Sequence, residues 1–425
     1  MVSNQLLKKA IGLKISLAKT TPKKFYALKR RTGNTGRSHG SLTFCGAKQT
    51  GRWASLGINL QNLMRPAFGD VDACIDLLPE RDFELLNLYF GDSTEAISSC
   101  IRGMLTAKPG HRLLIGDFAS IEARIIAWLA GAKSSLEVFR THGKIYEHAA
   151  SQIFNLPIDQ IGKKSDERFA GKTTILACGF QGGWRALQKM AKDNGVELPQ
   201  KMCVKIVTLW RKENPEIVTY WDALQQAAVK AIQNPGKKFL VRDEPGVPKI
   251  YYKVVRNVLY CQLPSGRLLS YNNPSLEKKT VQYFKIDGEF PVSIVYNKEA
   301  HGSAFDFTKL AKSHEAKVNT FDAPSIRFWG IHSKTYKWSR LHTYGGSLAE
   351  NITQAIARDL LAIAMLRLRD AGYTIVLHVH DEVVAEEKIG TGNIEEFLNI
   401  MKSPVDWAEG LPMGVEGEES FRYKK

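Results

Sequence analysis

No acidic residue occurs in the first 69 positions of this chain, although the same stretch contains thirteen lysines and arginines. The first carboxylate is Asp70, and the 425-residue chain as a whole has a formal net charge of +16. Solvated charged faces usually mix the two signs, so a long segment with cations alone indicates a polyanionic partner. Nucleic acid is the leading candidate. A membrane surface is the weaker one, because no amphipathic anchor with a tryptophan-rich face accompanies the charge.

Other absences narrow the class of protein. The six cysteines form no CxxC pair, which favours a reducing cytosol and gives no support to a zinc site or a disulfide framework. No apolar run approaches the roughly 20 residues that span a bilayer, and the N-terminus lacks the apolar region and cleavage signature of a signal peptide. We therefore expect a cytoplasmic protein, in the host cytoplasm if it is viral, with no membrane partner.

The order of the predicted elements is mixed rather than alternating, which predicts an α+β fold with an inserted helical region. The run HRLLIGDF (111–118) is typical of a buried strand that ends at an acid, and SIEARIIAWLAG predicts a helix with Ser120 near its N-cap. Residues 140–240 are predicted to be mainly helical, and residues 250–300 to form short strands. Near the end of the chain, TIVLHV and EVVAEE predict two strands joined at a His-Asp turn.

Two aspartates, Asp117 and Asp381, lie at ends of predicted strands. Each alone is more simply a helix cap or a turn residue, but two carboxylates at strand ends of one sheet can hold divalent cations between them. Mg²⁺ favours carboxylate, carbonyl and phosphate oxygens, and a two-ion site clamps both oxygens of an in-line phosphoryl displacement. A zinc or iron centre is not predicted, because His378 and His380 share one face of a strand while Asp381 takes the other.

The segment RFAGKTTILACGFQGG contains four residues at a spacing of four: Arg168, Lys172, Leu176 and Phe180. On a helix they form a slowly winding stripe, with the two cations about 6 Å apart along the axis. That separation suits neighbouring phosphates, and the apolar pair would then face sugar and base. The alternative is a helix with a partly buried apolar face and cations that extend to solvent. A P-loop is not predicted, because its pattern needs glycine where Asp166 stands.

Taken together, these segments resemble the signature motifs of family A DNA polymerases, most closely of the bacteriophage branch. Five segments carry the resemblance and follow the family's order: TGRWASLGINLQNL (50–63), DFASIEAR (117–124), RFAGKTTILACGFQGG (168–183), ENITQAIARDLL (350–361) and HVHDE (378–382). The tail WAEGLPMGVEGEE is also similar. The resemblance covers most of the chain from about Gly40 onward.

The resemblance implies a right-hand polymerase fold, with an antiparallel palm sheet and a helical fingers insertion. It implies a basic helical thumb remnant at 1–40, the first part of the palm at 41–131, fingers at 132–272 and the second part of the palm at 273–425. Residues 4–31 are expected to form one or two basic helices that grip duplex phosphates. Most of the thumb and the 3′-5′ exonuclease domain are expected to be missing, or to come from a separate polypeptide; a processivity factor is a further expected partner.

The implied activity is template-directed DNA synthesis, in which deoxynucleoside triphosphates extend a primer on primer-template DNA and pyrophosphate is released. Asp117 and Asp381 would bind two Mg²⁺ ions, with Mn²⁺ able to substitute, helped by the backbone carbonyl of Phe118. Arg168 and Lys172 would hold the triphosphate, and Lys172 would also donate a proton to the leaving group. The other implied nucleotide contacts are Glu122, Tyr146, Leu176 and Phe180.

Glu122 and Leu176 carry specific expectations, and Gln181 is a further departure from the family pattern. Glu122 lies five residues after Asp117, where a carboxylate can block a ribose 2′-hydroxyl, so its removal is expected to admit ribonucleotides. Leu176 stands where the family usually has phenylalanine or tyrosine, which predicts altered use of dideoxynucleotides. Gln181 stands where many relatives have glycine.

The implied primer-template contacts are Arg52, Asn59, Gln61, Asn62, Gln354, His380 and Glu382. Donors aimed at the minor groove can test base-pair geometry, because correct pairs present similar acceptors there. Two alternatives remain open. One is a catalytically silent or partner-dependent DNA-binding subunit of a split polymerase. The other is a different palm-type nucleotidyltransferase, an RNA polymerase or reverse transcriptase, although Glu122 and the run from Gln354 to Arg358 favour DNA synthesis.

Overall fold

A computed structural model describes residues 21–193, 195–286, 292–296, 307–313, 315–333 and 335–424. The chain forms two compact units. The first unit contains Met1–Ala119, Arg358–Ser403 and Val415–Lys425, and the second contains Ser120–Ala357 and Pro404–Gly414. The four segments expected from the sequence stay a prediction.

The helices are α1 (Thr21–Arg31), α2 (Val71–Leu77), α3 (Phe83–Phe90), α4 (Ser93–Ser99), α5 (Ile121–Ala130), α6 (Lys133–Thr141), α7 (Ile145–Phe154), α8 (Asp166–Cys178), α9 (Trp184–Asp193), α10 (Gln200–Glu213), α11 (Pro215–Gln233), α12 (Phe307–Ser313), α13 (Gly345–Asp370) and α14 (Ile394–Lys402). The strands are β1 (Leu42–Thr43), β2 (Ala54–Ser55), β3 (His111–Phe118), β4 (Lys238–Leu240), β5 (Tyr251–Val255), β6 (Val258–Gln262), β7 (Leu268–Ile286), β8 (Val292–Tyr296), β9 (Asn319–Ile331), β10 (Trp338–Thr343), β11 (Ile375–Val379), β12 (Glu382–Lys388) and β13 (Val415–Ser420).

An antiparallel sheet of four strands, in the order β11-β12-β3-β13, forms the centre of the first unit. HRLLIGDF folds as the predicted strand β3, and its residues Leu114 and Ile115 are fully buried because both faces of the sheet are covered. On one face α14 comes so close to Gly116 that a side chain there would meet the Met401 sulfur at 2.5 Å. The predicted strand pair near the end of the chain is also confirmed, as β11 and β12.

Three short helices of the first unit each begin at an aspartate. Asp70, Asp82 and Asp92 stand at the N-caps of α2, α3 and α4, and each side chain accepts backbone N–H groups of the following turn. This group was not predicted from the sequence pattern. The one basic helix seen ahead of it, α1, matches the later part of the helices expected at residues 4–31, and the earlier part lies outside the described residues.

The second unit starts with helices α5 to α11, as predicted for residues 140–240. α7 and α8 approach each other closely at Gly171. A side chain at this position would lie 2.1 Å from the Tyr146 carbonyl oxygen and 2.9 Å from the Ala150 nitrogen. Both are backbone atoms, which cannot rotate away as the end of a side chain could.

We therefore expect Gly171→Ala to lower the free energy of unfolding by about 1–3 kcal/mol, the usual cost of overpacking a close contact. Urea unfolding followed by circular dichroism measures the change. Gly183→Ala is the matched control, because a side chain there would meet no atom within 4 Å. Equal losses in the two variants would contradict the close helix contact.

After the helices, the second unit contains a seven-stranded antiparallel sheet in the order β10-β9-β7-β6-β5-β4, with β8 paired to β7. Strands were predicted at residues 250–300, but the sheet is larger than that prediction, since β7 alone has 19 residues. α11 packs against one face of the sheet, where Tyr252, Leu259 and Tyr271 are fully buried. α13 follows the sheet and contributes residues up to Ala357 to the second unit and the remainder to the first. Among the described helices, none is long and apolar enough to cross a membrane.

Candidate functional site

Backbone pairing in the first unit brings Asp117 and Asp381 together. Asp117 on β3 is directly opposite Glu382, the first residue of β12. Asp381 precedes Glu382 in the turn from β11, and its carbonyl accepts the N–H of Phe118 at 3.2 Å. The two aspartates that are 264 positions apart in the sequence (381 − 117) therefore share one end of the sheet, and each lies at the end of a strand as predicted.

The donor set at this end of the sheet suits Mg²⁺. It offers two carboxylates and the nearby backbone carbonyl of Phe118, and Mg²⁺ is commonly held by one or two carboxylates with substrate phosphates and waters. Among the described residues, no group of three or more histidine, cysteine, aspartate or glutamate side chains is arranged for a metal. Two carboxylates and one carbonyl are a donor set that Mg²⁺ could use together with substrate oxygens and waters, and they are fewer than the four protein ligands of a structural zinc centre.

Arg52 contributes a positive charge beside Asp381. Its Nη2 lies 3.4 Å from Asp381 Oδ1, and the side chains are only 20% and 25% exposed. At this separation the pair is a loose one, so the guanidinium balances the carboxylate without a tight hydrogen bond. The predicted contact of Arg52 with DNA stays a prediction.

His380 lies in the turn beside Asp381 and connects it to the segment 50–63. Its Nε2 is 2.9 Å from the carbonyl oxygen of Gln61, so Nε2 carries the hydrogen and donates it. Burial lowers the pKa of His380, and the cations Arg52 and Arg102 lower it further, while Asp117 and the bond to Gln61 oppose them. The imidazole is thus held in a neutral form with a defined tautomer.

Three of the residues predicted to contact DNA donate one side-chain amide hydrogen to another residue of the chain. In the first unit, Gln61 Nε2 donates to the Trp53 carbonyl at 2.8 Å, and Asn62 Nδ2 donates to Asn59 Oδ1 at 3.0 Å. In the second unit, Gln354 Nε2 donates to Glu350 Oε1 at 3.2 Å. Each amide group has two hydrogens, and each of these bonds accounts for one of them. The bonds fix the orientation of the amides, and their contact with DNA stays a prediction.

Glu382 is held by Tyr423, which in turn contacts Arg102, and the sequence analysis missed both residues. Burial raises the pKa of the Tyr423 phenol, and the neighbouring Glu382 carboxylate, which it hydrogen-bonds, raises it further. Tyr423 therefore stays protonated and donates to Glu382, which is only 5% exposed. Arg102 lies over the Tyr423 ring and donates to the Leu63 carbonyl at 2.9 Å. Neither residue belongs to a recognisable motif, so no sequence signal pointed to them.

In the second unit, Arg168 and Lys172 lie on α8 as the spacing predicted. The helix begins where the Ser165 hydroxyl accepts the N–H of Arg168. The Arg168 guanidinium lies 5.4 Å from the centre of the Tyr146 ring, and the Lys172 ammonium lies 5.9 Å from it. Both cations therefore gather over one aromatic side chain of α7, in a geometry that supports cation–π attraction.

Glu147 is a further residue that the sequence analysis missed. Its carboxylate accepts from Arg168 Nε at 2.6 Å, and its side chain is only 9% exposed. A charge-assisted bond of this length fixes the orientation of the guanidinium on the helix. Glu147 follows Tyr146 directly, but nothing in its spacing from Arg168 indicated the pair.

The predicted stripe is helical for three of its four members. α8 ends at Cys178, so Leu176 lies on the helix while Phe180 lies in the turn beyond it. The chain turns there because Gln181 adopts a left-handed φ of 65°, a backbone conformation that glycine adopts at lower cost than other residues. The Gln181 side chain compensates by accepting the N–H of Gly346 at 2.9 Å. The helix therefore ends two residues before Phe180, so the fourth member of the stripe is not helical.

Glu122 lies in the first turn of α5, close to Tyr146. Ser120 holds the N-cap position, with φ 53°, but its side chain does not cap the helix. It hydrogen-bonds Tyr146 instead, while burial, the largest influence, raises the pKa of that phenol and the Glu122 charge raises it further. Glu122, Tyr146, Arg168 and Lys172 thus form one cluster in the second unit.

Comparison with known proteins places this chain in a family. The model of DNA polymerase family A matches residues 7–235, which is more than half of the chain, and the chain belongs to that family. It is 36% identical over 423 residues to a DNA polymerase of Bacillus phage SP02, a match that covers 100% of this chain and 58% of the relative. It is also 27% identical over 130 residues to DNA polymerase I of Pseudomonas aeruginosa, covering 31% of this chain and 14% of that protein.

A solved structure is similar over almost the whole chain. It is the POL domain of Pol1 from M. smegmatis in complex with DNA primer-template and dNTP, with a TM-score of 0.56 and 16% identity. The match covers 95% of this chain and 51% of that one. The predicted α+β fold of a right-hand polymerase, with an antiparallel palm sheet and helical fingers, is thereby confirmed. The chain spans little more than half the length of the phage relative.

Proposed function

We propose that this chain is a template-directed DNA polymerase that adds deoxynucleotides to a primer 3′-hydroxyl and releases pyrophosphate. The observation that carries the proposal is the position of Asp117 and Asp381 at one end of the four-stranded sheet, where Asp117 is opposite Glu382 and the Phe118 N–H donates to the Asp381 carbonyl. Membership of DNA polymerase family A supports the same conclusion. The proposed ligands are primer-template DNA and deoxynucleoside triphosphates.

Each unit supplies its own part of the chemistry. In the first unit, Asp117, Asp381 and the Phe118 carbonyl would hold two Mg²⁺ ions, which when bound supply charge that favours ionisation of the primer hydroxyl and departure of pyrophosphate. In the second unit, Arg168 and Lys172 would bind the triphosphate. Glu147 supports this role because it holds the Arg168 guanidinium in place.

The remaining contacts follow from the same arrangement. Lys172 is the proposed proton donor to pyrophosphate, and Leu176 and Phe180 would lie against the sugar and base. Tyr146, beneath both cations, would support the nucleotide from α7. In the first unit, the turn containing His380 and the segment with Arg52, Asn59, Gln61 and Asn62 would contact the primer-template.

Primer extension by the purified chain tests the proposal. With Mg²⁺, a primed template and all four deoxynucleotides, we expect products whose sequence is dictated by the template, and no products when Mg²⁺ is chelated. A chain that binds the primed template but never extends it would favour the silent DNA-binding subunit instead. Extension with ribonucleotides in preference to deoxynucleotides would favour an RNA polymerase.

A further inference from the structure

The seven-stranded sheet of the second unit is not accounted for by the family match. That match ends at residue 235, before β4 begins at Lys238. One face of the sheet is buried against α11 and contains Tyr252, Leu259 and Tyr271. The opposite face, which we call the outer face, is defined by the alternate residues of β4, β5, β6, β7, β9 and β10.

The outer face interleaves cations with aromatic rings. Its cations include Lys238, Lys253, Arg327 and Arg340, and its aromatic residues include Tyr251, Tyr260, Trp329 and Trp338. The strand register places them in rows: Lys238 is opposite Lys253, which is opposite Tyr260. In a second row, Asn272 is opposite Trp329, which is opposite Arg340. Trp338 is 56% exposed, so its ring is accessible on this face.

The outer face has more positive than negative side chains, which favours an anionic ligand. Lys238 and Lys253 are exposed and directly opposite each other, and like charges in that relation destabilise a sheet unless a counter-charge is near. Along the described positions of the outer face, Glu277 is the one carboxylate. It is shared by Arg327 and Arg340, each 3.1 Å away. The net charge of the face therefore stays positive.

A cleft beside these residues has a size and lining that suit a flat ring. Its volume is about 270 Å³, and its walls include the two aromatic rings of Tyr251 and Trp407, with the amide of Gln262 and the ammonium of Lys249 at hand. The Lys238 ammonium lies 3.8 Å from the centre of the Tyr251 ring, so a cation marks the edge of the cleft. Aromatic walls offer stacking, and the polar groups offer hydrogen bonds and charge to the same ligand.

We propose that the outer face binds the unpaired template strand, with bases stacked on its aromatic residues and phosphates held by its lysines and arginines. Stacking platforms within a basic groove are the usual means of binding single strands without reading their sequence. A duplex would not use the aromatic rings, because its bases already stack on each other and present only their edges. The inference rests on the proposed function. A template-directed DNA polymerase meets single-stranded DNA as the template ahead of the primer, so the unpaired template is the strand that we assign to this face.

The test compares two primer-templates with the same duplex, bound by the full chain at one fixed salt concentration. One has a template overhang of about two nucleotides, and the other has an overhang of about twelve, within the range that one stacking platform covers. Fluorescence anisotropy gives the Kd of each. We expect the wild-type chain to bind the long overhang about tenfold more tightly, since stacking of even one or two bases is worth that much.

Two variants address the face without disturbing the core. Lys253→Glu places a carboxylate opposite Lys238, so it removes a repulsion from the sheet and is expected to fold. Trp338→Ala truncates a mainly exposed ring. We expect each variant to lose most of the tenfold preference for the long overhang and to bind and extend the short-overhang substrate as the wild type does. Lys253→Glu should also reduce the salt dependence of binding to the long overhang.

Tyr89→Ala on α3 is the matched control, because Tyr89 is 67% exposed but lies in the first unit among acidic caps. A preference for the long overhang that survives both outer-face variants would overturn the proposal. Equally weaker binding of both substrates by the variants would also overturn it. So would a wild-type chain that binds both overhangs equally, and an acidic protein partner would then be the better occupant of the face. Failure of the wild type to extend either primer would instead count against the proposed polymerase activity.

Discussion

We expect Asp381→Asn to lower the rate of primer extension by about a thousandfold while the first unit keeps its fold. Asparagine has nearly the size of aspartate but lacks the charge that would hold a divalent cation. A loss of several kcal/mol in transition-state stabilisation is reasonable for a metal site, and about 4 kcal/mol corresponds to three decades in rate. The bond from Phe118 to residue 381 uses backbone atoms, so it persists in the variant.

Single-turnover extension of a labelled primer at saturating deoxynucleotide and Mg²⁺ measures this effect on the chemical step. Anisotropy on the same substrate should give a Kd within a few-fold of the wild type, because the proposed DNA contacts are other residues. Glu418→Gln is the matched control, since it neutralises an exposed carboxylate on β13 of the same sheet, opposite Ile115 rather than Asp117. A variant at position 381 that retains a tenth or more of the wild-type rate would refute the metal-binding role.

The parts of this site that the sequence predicted are those that depend on strand and helix periodicity. The apolar run before Asp117 and the two apolar runs around Asp381 required strands, and a polar pair between two such runs required a tight turn. Since chain turns lie at sheet ends, both acids had to lie at ends of strands. The strand register that places the two acids side by side could not be predicted from the sequence, because pairing between distant segments depends on packing that no local pattern encodes.

Contacts made by single side chains were beyond sequence reasoning. Glu147 and Arg168 are 21 positions apart on two helices, and their ion pair depends on the close approach at Gly171. The spacing of four continues unbroken to Phe180, but the helix α8 ends earlier, because Gly179 and Gln181 follow its last residue and the chain turns there. The outer face was missed for another reason: the cations and rings of β4 to β10 are scattered over about a hundred positions and form rows only after the strands pair.

We also expect Glu122→Ala to raise the use of ribonucleotides relative to deoxynucleotides by about a hundredfold. Glu122 lies in the first turn of α5, and its charge acts on Tyr146, the ring beneath Arg168 and Lys172. A nucleotide held by those cations would place its sugar within reach of this carboxylate. A ribose 2′-hydroxyl would then have to displace the carboxylate or lose its hydrogen bonds to water, and a buried hydroxyl without a partner costs about 1–3 kcal/mol. Alanine removes the obstruction, and 2.7 kcal/mol is roughly a hundredfold.

Insertion of a single nucleotide, with kcat/KM determined separately for the ribo- and deoxy-forms of the same base, gives the ratio directly. Most of the change should appear in the ribonucleotide, because alanine takes away a clash and adds no contact for the deoxynucleotide. Glu137→Ala removes an exposed carboxylate from α6 in the same unit and should leave the ratio within a few-fold of the wild type. If Glu122→Ala lowers the use of both nucleotides equally, Glu122 supports the structure of the cluster and does not discriminate between sugars.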